Sequence, residues 1–251
     1  GAFVMVAFDR VPFLPRLLIA VLIGLVLGIV TERLVLSNLY DRGFLATLLA
    51  MWGVGIVLRE TANVVFGATP ASVQAPIQAN VDVLGVSYPS YRIVIAIASL
   101  AIVGALLIVM YRTKLGLIVR ATVDNRAMGA VLGIRPTLVV SGTFAVGVAL
   151  AVLAGAMQSP LLGITPTVGV AFLAPAFFAV LLGKPGSLPG AVFGAFVVAL
   201  LSTVLRSTLN ETVAQLVMFA LLIVLIALRP NGIDWKTPAW LHRKPQAAVA
   251  A

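Results

Sequence analysis

Two charged residues inside a long apolar run are the side chains of this sequence best placed to do chemistry. Arg59 and Glu60 lie late in the run from Phe44 to Gly67, FLATLLAMWGVGIVLRETANVVFG. Ionisable groups inside a membrane-spanning segment commonly mark a path for ions or polar solutes. The simpler interpretation, which we favour, is that the pair anchors a helix near the outer membrane surface. The alternative is that it lines a polar pathway through the protein.

The pathway interpretation extends to nearby polar, aromatic and helix-breaking residues. Thr61 and Asn63 follow the charged pair, and Trp52 precedes it, although a tryptophan in a membrane helix is more often a packing residue or an interface anchor. Pro166 and Gly169 interrupt the helical pattern; a plain loop is the commoner explanation, but transporters often bind solutes beside such breaks. The candidate pathway residues are Trp52, Arg59, Glu60, Thr61, Asn63, Pro166 and Gly169.

Catalytic and metal chemistry has little support in this sequence. There is no cysteine, and His242, the one histidine, lies near the C-terminal end, so no thiolate or histidine metal site can be built. The segment GKPGS at 183–187 lacks the earlier glycine and the hydroxyl residue of a phosphate-binding P-loop. We predict no catalytic residue, no metal site and no cofactor bound by this chain, and we do not expect an enzyme.

The composition predicts a membrane protein. Of the 251 residues, 61% are hydrophobic and 10% are charged, whereas a soluble domain averages about 25% charged residues. The apolar residues also come in long blocks, which fits helices surrounded by lipid. The formal net charge of +9 does not indicate nucleic-acid binding, because the basic residues lie between and after the apolar blocks.

The apolar blocks predict an all-α polytopic membrane protein with about seven spanning or re-entrant helices. The opening residues GAFVMVAF add an N-terminal helix stub, which we expect to be the end of a helix whose start is missing. The block 171–183 covers only about 20 Å of a hydrocarbon core about 30 Å thick, so this helix is short, broken at Pro175 or re-entrant. The predicted helices are 17–30, 44–67, 93–111, 138–157, 171–183, 190–205 and 213–228.

Positive charge in the connections predicts the orientation of these helices. Segment 112–135 holds five basic residues against Asp124, and the C-terminal end is also basic. Cytoplasmic loops collect Lys and Arg, so we expect both to face the cytoplasm and loop 68–90 to be external. We assign residues 1–235 to a single transmembrane domain, with segment 112–135 as its cytoplasmic loop, and 236–251 to a cytoplasmic tail.

A glycine pattern predicts close helix packing. Gly186, Gly190 and Gly194 are spaced by four, which would align them on one helical face, and Gly24 and Gly28 repeat the spacing. Small residues at this spacing let helices approach closely in lipid, and packing explains them better than a ligand does.

Segment 120–134, RATVDNRAMGAVLGI, interrupts the apolar blocks and predicts a short amphipathic helix. Such a helix could lie on the membrane surface. Its apolar face is thin and largely made of small residues, which suits a groove in another protein better than burial in lipid. The two faces carry Ala127, Val131 and Ile134 on one side, with Ala130 beside them, and Arg120, Asp124 and Met128 on the other.

The same segment resembles the cytoplasmic coupling loop of permease subunits from ABC importers for branched-chain amino acids and related amides. That loop runs from an Arg-Ala pair to small residues and a closing Leu-Gly-Ile or Leu-Gly-Val, as in Arg120-Ala121 and Leu132-Gly133-Ile134. The chain departs from the family pattern at 183–187, where the family usually has Gly-Gly before the Gly-Ser. The resemblance covers nearly the whole chain, through ERLVL (32–36), YRTKLGLIVRA (111–121), GSLPGAVFG (186–194) and RPNGI (229–233).

The resemblance implies the ABC importer permease fold in a bacterial inner membrane, together with several partners. These are a second permease subunit in a heterodimer, two cytoplasmic ATPase subunits that use ATP and magnesium, an external or periplasmic solute-binding protein, and membrane lipid. The coupling segment would sit in a groove of the ATPase and move when the ATPases close on ATP. The implied coupling residues are Arg120, Asp124, Arg126, Ala127, Met128, Val131, Leu132 and Gly133.

We predict import of branched-chain or other hydrophobic amino acids. LLAMWGV at 48–54 and DNRAMGAVLG at 124–133 also resemble the urea-permease branch, so urea or a short-chain amide is the alternative substrate. An ion-coupled secondary carrier fits less well, because the sequence lacks buried acids and a clear internal repeat. A membrane scaffold without transport would not need the charged coupling segment.

Overall fold

The computed structural model describes a mostly helical chain over residues 1–39, 42–67, 69–77, 79–83, 86–125, 129, 133–183 and 186–228. A two-stranded antiparallel hairpin, β1 (Asn80–Val83) and β2 (Val86–Pro89), lies between the third and fourth helices. The helices are α1 (Ala2–Ala7), α2 (Phe13–Thr31), α3 (Phe44–Phe66), α4 (Ser90–Arg112), α5 (Lys114–Asp124), α6 (Pro136–Gln158), α7 (Val170–Leu182), α8 (Leu188–Thr208) and α9 (Glu211–Leu228).

Five helices within the described residues are long and apolar enough to cross a membrane. They are α2 with the turn that follows it, α3, α4, α6 and α8, whereas α7 has 13 residues. The all-α polytopic class is therefore confirmed, and each of the seven predicted blocks contains a helix. The hairpin was not predicted, because two strands of four residues leave no clear periodicity in a loop.

Large apolar side chains cover the outside of the spanning helices. Leu18 in α2, Leu49 in α3 and Leu100 in α4 are 67%, 73% and 76% exposed. Water would solvate such a surface poorly, whereas lipid chains or the apolar face of another subunit would cover it. Small residues lie inside instead, as Ala20, Ala149 and the other buried alanines do.

The described helices group into two compact units, residues 1–169 and residues from 170 onward. In the first unit, α2 packs along α6. A methyl group added to Gly28 would lie 2.6 Å from the Cα atom of Ala145, and one added to Gly24 would lie 2.8 Å from that of Ala149. Glycine at both positions therefore lets the two helix backbones meet.

In the second unit, α8 packs against α7 and α9. Gly190 and Gly194 are buried on α8, and a methyl group on Gly190 would collide with the carbonyl oxygen of Gly183. Gly186 does not belong to this face. It is exposed, has a positive φ of 89° and precedes α8, which begins at Leu188. The prediction of a three-glycine face is wrong for Gly186, because a spacing of four aligns residues only inside a helix.

Candidate functional site

A polar cavity forms where the end of α3 faces the loop between α6 and α7. Its volume is about 410 Å³. Arg59, Glu60 and Asn63 line it from α3, and Thr165, Pro166 and Thr167 line it from the loop. Polar and charged side chains from one helix thus line the same cavity as two threonines that follow a different helix.

The charged pair in this cavity is joined by direct hydrogen bonds. Nη2 and Nε of Arg59 donate to Oε1 of Glu60 at 2.9 and 3.1 Å, and Nδ2 of Asn63 donates to Oε2 of Glu60 at 3.5 Å. Neighbouring residues on a helix point about 100° apart, but these two side chains are long enough to bend together. Their side chains are 38% and 52% exposed, so both charges stay accessible from the cavity.

The loop that forms the opposite wall is held by the core of the first unit. Ile164, directly before Thr165, is 1% exposed and packs in the cluster that includes Met5 and Ala156. Its backbone exchanges two hydrogen bonds with Ala71, at 2.9 and 3.0 Å. These contacts hold the start of the loop, directly before the two threonines, against the core of the first unit.

The structure brings together four of the seven predicted pathway residues. Trp52 is 57% exposed on α3 and does not line the cavity. The hydroxyl of Thr61 donates to the carbonyl oxygen of Val57 in its own helix, and Gly169 is exposed just before α7. The residues that meet are Arg59, Glu60, Asn63 and Pro166.

A second, larger cavity of about 840 Å³ lies between α3, α5 and α6. Met51, Val119, Phe144 and Val148 are among its mostly apolar lining residues. Met51 precedes Arg59 by eight positions, a rise of about 12 Å along α3. Helix α3 thus contributes to an apolar cavity through Met51 and to the polar cavity through its later residues.

The predicted coupling segment is divided by a break in the helix. Helix α5 begins at Lys114, six residues before the predicted start, and ends at Asp124, where Asn125 adopts an extended backbone. The continuous helix over 120–134 was therefore a wrong prediction. Beyond this break, the backbone N–H of Gly129 donates to the carbonyl oxygen of Asn125.

The coupling residues that the structure describes have distinct surroundings. The guanidinium of Arg120 lies 4.8 Å from the ring centre of Tyr111 in α4, a cation–π contact that fastens α5 to α4. Gly133 is exposed with a φ of 78°, a conformation that favours glycine. Asp124 ends α5. Arg126, Ala127, Met128, Val131 and Leu132 lie outside the described residues.

Glu32 was not among the sequence candidates, but the structure buries it. It is 3% exposed and begins a π-helical turn, Glu32–Leu36, that extends α2. A buried ionisable group in a membrane bundle is costly and commonly functional. The signal was the stretch ERLVL directly after an apolar run, which we interpreted as the end of the span.

The helices and cavities define the class of the protein: it is a multi-pass α-helical membrane protein with a polar cavity beside its apolar spanning helices. The family model for the branched-chain amino acid transport system permease component matches residues 1–226. The chain belongs to this family of ABC transporter permeases, which confirms the resemblance. A permease component is a transport subunit and not itself a catalytic enzyme.

Curated relatives agree with the family at modest identity. The permease protein LivH of the high-affinity branched-chain amino acid transport system of Salmonella typhimurium strain LT2 is 27% identical over 220 residues, which is 85% of this chain and 71% of LivH. LivH of Escherichia coli strain K12 is 26% identical over the same length. BraD of Pseudomonas aeruginosa, from a system of the same description, is 26% identical over 238 residues, covering 91% of this chain and 77% of BraD. No solved structure matches the chain significantly.

Proposed function

We propose that this chain is the permease subunit of an importer that moves branched-chain or other hydrophobic amino acids across a bacterial inner membrane. The observation that carries the proposal is a polar, charge-paired cavity in a member of the branched-chain amino acid permease family. Arg59 and Glu60 sit where a spanning helix would otherwise be apolar, and charges in such a place are costly unless they serve a solute or a partner.

The energy for import comes, in this proposal, from separate subunits. The sequence has no P-loop, so two partner ATPases bind and hydrolyse ATP with magnesium. A second permease subunit completes the translocation pathway as a heterodimer. A solute-binding protein delivers the amino acid at the external side, where the polar cavity would open if segment 112–135 is cytoplasmic.

Helix α6 supplies a mechanical link between the two ends of the subunit. It follows the coupling segment, packs against α5 and α2, and leads into the loop that carries Thr165 and Thr167. Its 23 residues span about 34 Å. Closure of the ATPases would push α5 and the residues after it, and α6 would carry that displacement to the cavity wall.

Reconstitution tests this proposal directly. The subunit is expressed with its neighbouring transport genes, purified and placed in proteoliposomes with the binding protein outside and ATP inside. We expect ATP-dependent accumulation of leucine, isoleucine and valine, and copurification of an ATPase. Accumulation of urea or acetamide in place of these amino acids would establish the alternative substrate class. Uptake driven by an ion gradient without ATP would contradict the ABC mechanism.

A further inference from the structure

We propose that the polar cavity binds the zwitterionic head group of an α-amino acid, with Arg59 taking the carboxylate and Glu60 the ammonium group. This inference rests on the proposed import of amino acids and assigns residues to it. The cavity of about 410 Å³ falls within the range of small-molecule sites, roughly 300–1,000 Å³.

The charge pair matches the ligand in sign and in spacing. In an α-amino acid the carboxylate and the ammonium group are attached to the same carbon atom. The Arg59 and Glu60 groups are likewise close, with Nη2 of Arg59 lying 2.9 Å from Oε1 of Glu60. The planar guanidinium can hold a carboxylate through two parallel hydrogen bonds. The carboxylate of Glu60 accepts from an ammonium group, and the Asn63 amide already lies beside it.

Arg59 and Glu60 can each exchange the other side chain for a charged group of the ligand. An ion pair between accessible side chains contributes little to stability, and these two side chains are 38% and 52% exposed. Opening the pair therefore loses little, and a zwitterion replaces both halves of the interaction at once. A group with one charge replaces only one half and leaves the other charge without a partner.

The threonine wall completes a preorganised site. The hydroxyl groups of Thr165 and Thr167 lie 3.3 Å apart, and each can donate to a carboxylate or accept from an ammonium group. The buried Ile164 and its two hydrogen bonds to Ala71 hold this wall in place. An interface anchor would need no such wall, so the convergence of helix and loop favours a binding site.

Cysteine protection tests the site without relying on transport. The chain has no cysteine, so Thr167→Cys gives a single reporter in the cavity and Ser72→Cys an exposed reporter outside it. The assembled complex in nanodiscs, without the binding protein, is treated with a maleimide. We expect L-leucine to slow labelling at Thr167→Cys and not at Ser72→Cys. Leucinamide, which lacks the carboxylate, and 4-methylpentanoate, which lacks the ammonium group, should protect far less.

Charge variants in the reporter background identify the contacts. Arg59→Gln and Glu60→Gln should each raise the half-protecting leucine concentration by roughly 10- to 100-fold, the loss of one hydrogen-bonded charge contact. Arg59→Lys keeps the positive charge but loses the planar guanidinium, so its half-protecting leucine concentration should lie between those of the wild type and Arg59→Gln. Matched controls are Arg92→Gln and Asp82→Asn, whose residues are exposed and do not line the cavity; they should change nothing.

The outcomes separate the site from the function. Suppose that the wild-type complex imports leucine. If leucine then does not protect Thr167→Cys, or if the charge variants in that background behave like the controls, the site is overturned and the proposed function stands. Equal protection by urea, leucinamide and leucine would also overturn the zwitterion assignment. If the wild-type complex imports no amino acid, the proposed function fails whatever the protection shows.

Discussion

The carboxylate of Glu32 accepts a hydrogen bond of 2.5 Å from the hydroxyl of Ser141, joining the end of α2 to α6. Glu32 is almost completely buried and begins the π-helical turn of α2, and such turns often mark functional positions. The bond lies about one helical turn from Gly28, where α2 and α6 touch through their backbones. A polar contact thus lies next to the close apolar approach of the two helices.

Removing the Ser141 hydroxyl should therefore weaken the first unit. Ser141→Ala leaves a buried carboxylate with one donor fewer, which costs about 1–3 kcal/mol. Thr143→Val is the matched control, because the Thr143 hydroxyl is exposed and donates to Val139 of the same helix. Thermal melting of the detergent-solubilised complex is the measurement. Equal melting temperatures for the two variants would show that the Glu32 contact does not support the interface.

Gly28→Ala should separate α2 from α6. The added methyl group would lie 2.6 Å from the Cα atom of Ala145, so the backbones must move apart, and such overpacking costs about 1–3 kcal/mol. Gly53→Ala is a suitable control, because no atom in the described part of the chain lies within 4 Å of its added methyl group. Alanine should stabilise that helix by about 0.5–1 kcal/mol. A complex in which both variants melt above the wild type would contradict the close approach.

The orientation of the chain can be read from two single cysteines. Ser72→Cys should react with an impermeant maleimide in intact spheroplasts, whereas Thr137→Cys should react only after lysis, because basic segment 112–135 keeps its side in the cytoplasm. Both positions are exposed in the structure, so accessibility to the reagent does not depend on burial. The reverse labelling pattern would invert the topology and place the polar cavity at the cytoplasmic side.

Hydropathy and charge predicted the helices, because lipid selects for long apolar blocks regardless of how those blocks meet. Tertiary contacts were predicted only where a single residue type marks them, as the glycines of α2 and α8 mark close helix packing. The sequence pattern did not predict that Arg59 and Thr165 line one cavity, since the two lie far apart in sequence. The loop of Thr165 is held through tertiary contacts, among them the backbone hydrogen bonds between Ile164 and Ala71. The break at Asn125 was missed because the helical periodicity of 120–134 continues through it.

Gly133 allows the coupling proposal to be tested at an exposed position of the predicted coupling segment. Among the residues that the structure describes, no atom lies within 4 Å of a methyl group added there, although its φ of 78° makes any side chain strained. Gly133→Ala carries the strain alone, and Gly133→Trp carries the same strain plus a bulky ring on the exposed surface. The difference between the two variants therefore reports on what this surface contacts.

If the segment docks into a groove of the ATPase, Gly133→Trp should abolish uptake and substrate-stimulated ATP hydrolysis at a normal membrane level. Gly133→Ala should keep most of both activities, because its methyl group is small. Uptake and stimulated hydrolysis should fall together, since the coupling free energy between two binding sites is reciprocal. A segment that only lies on the lipid surface gives another result: tryptophan is favoured at membrane interfaces, so Gly133→Trp would then transport at least as well as Gly133→Ala.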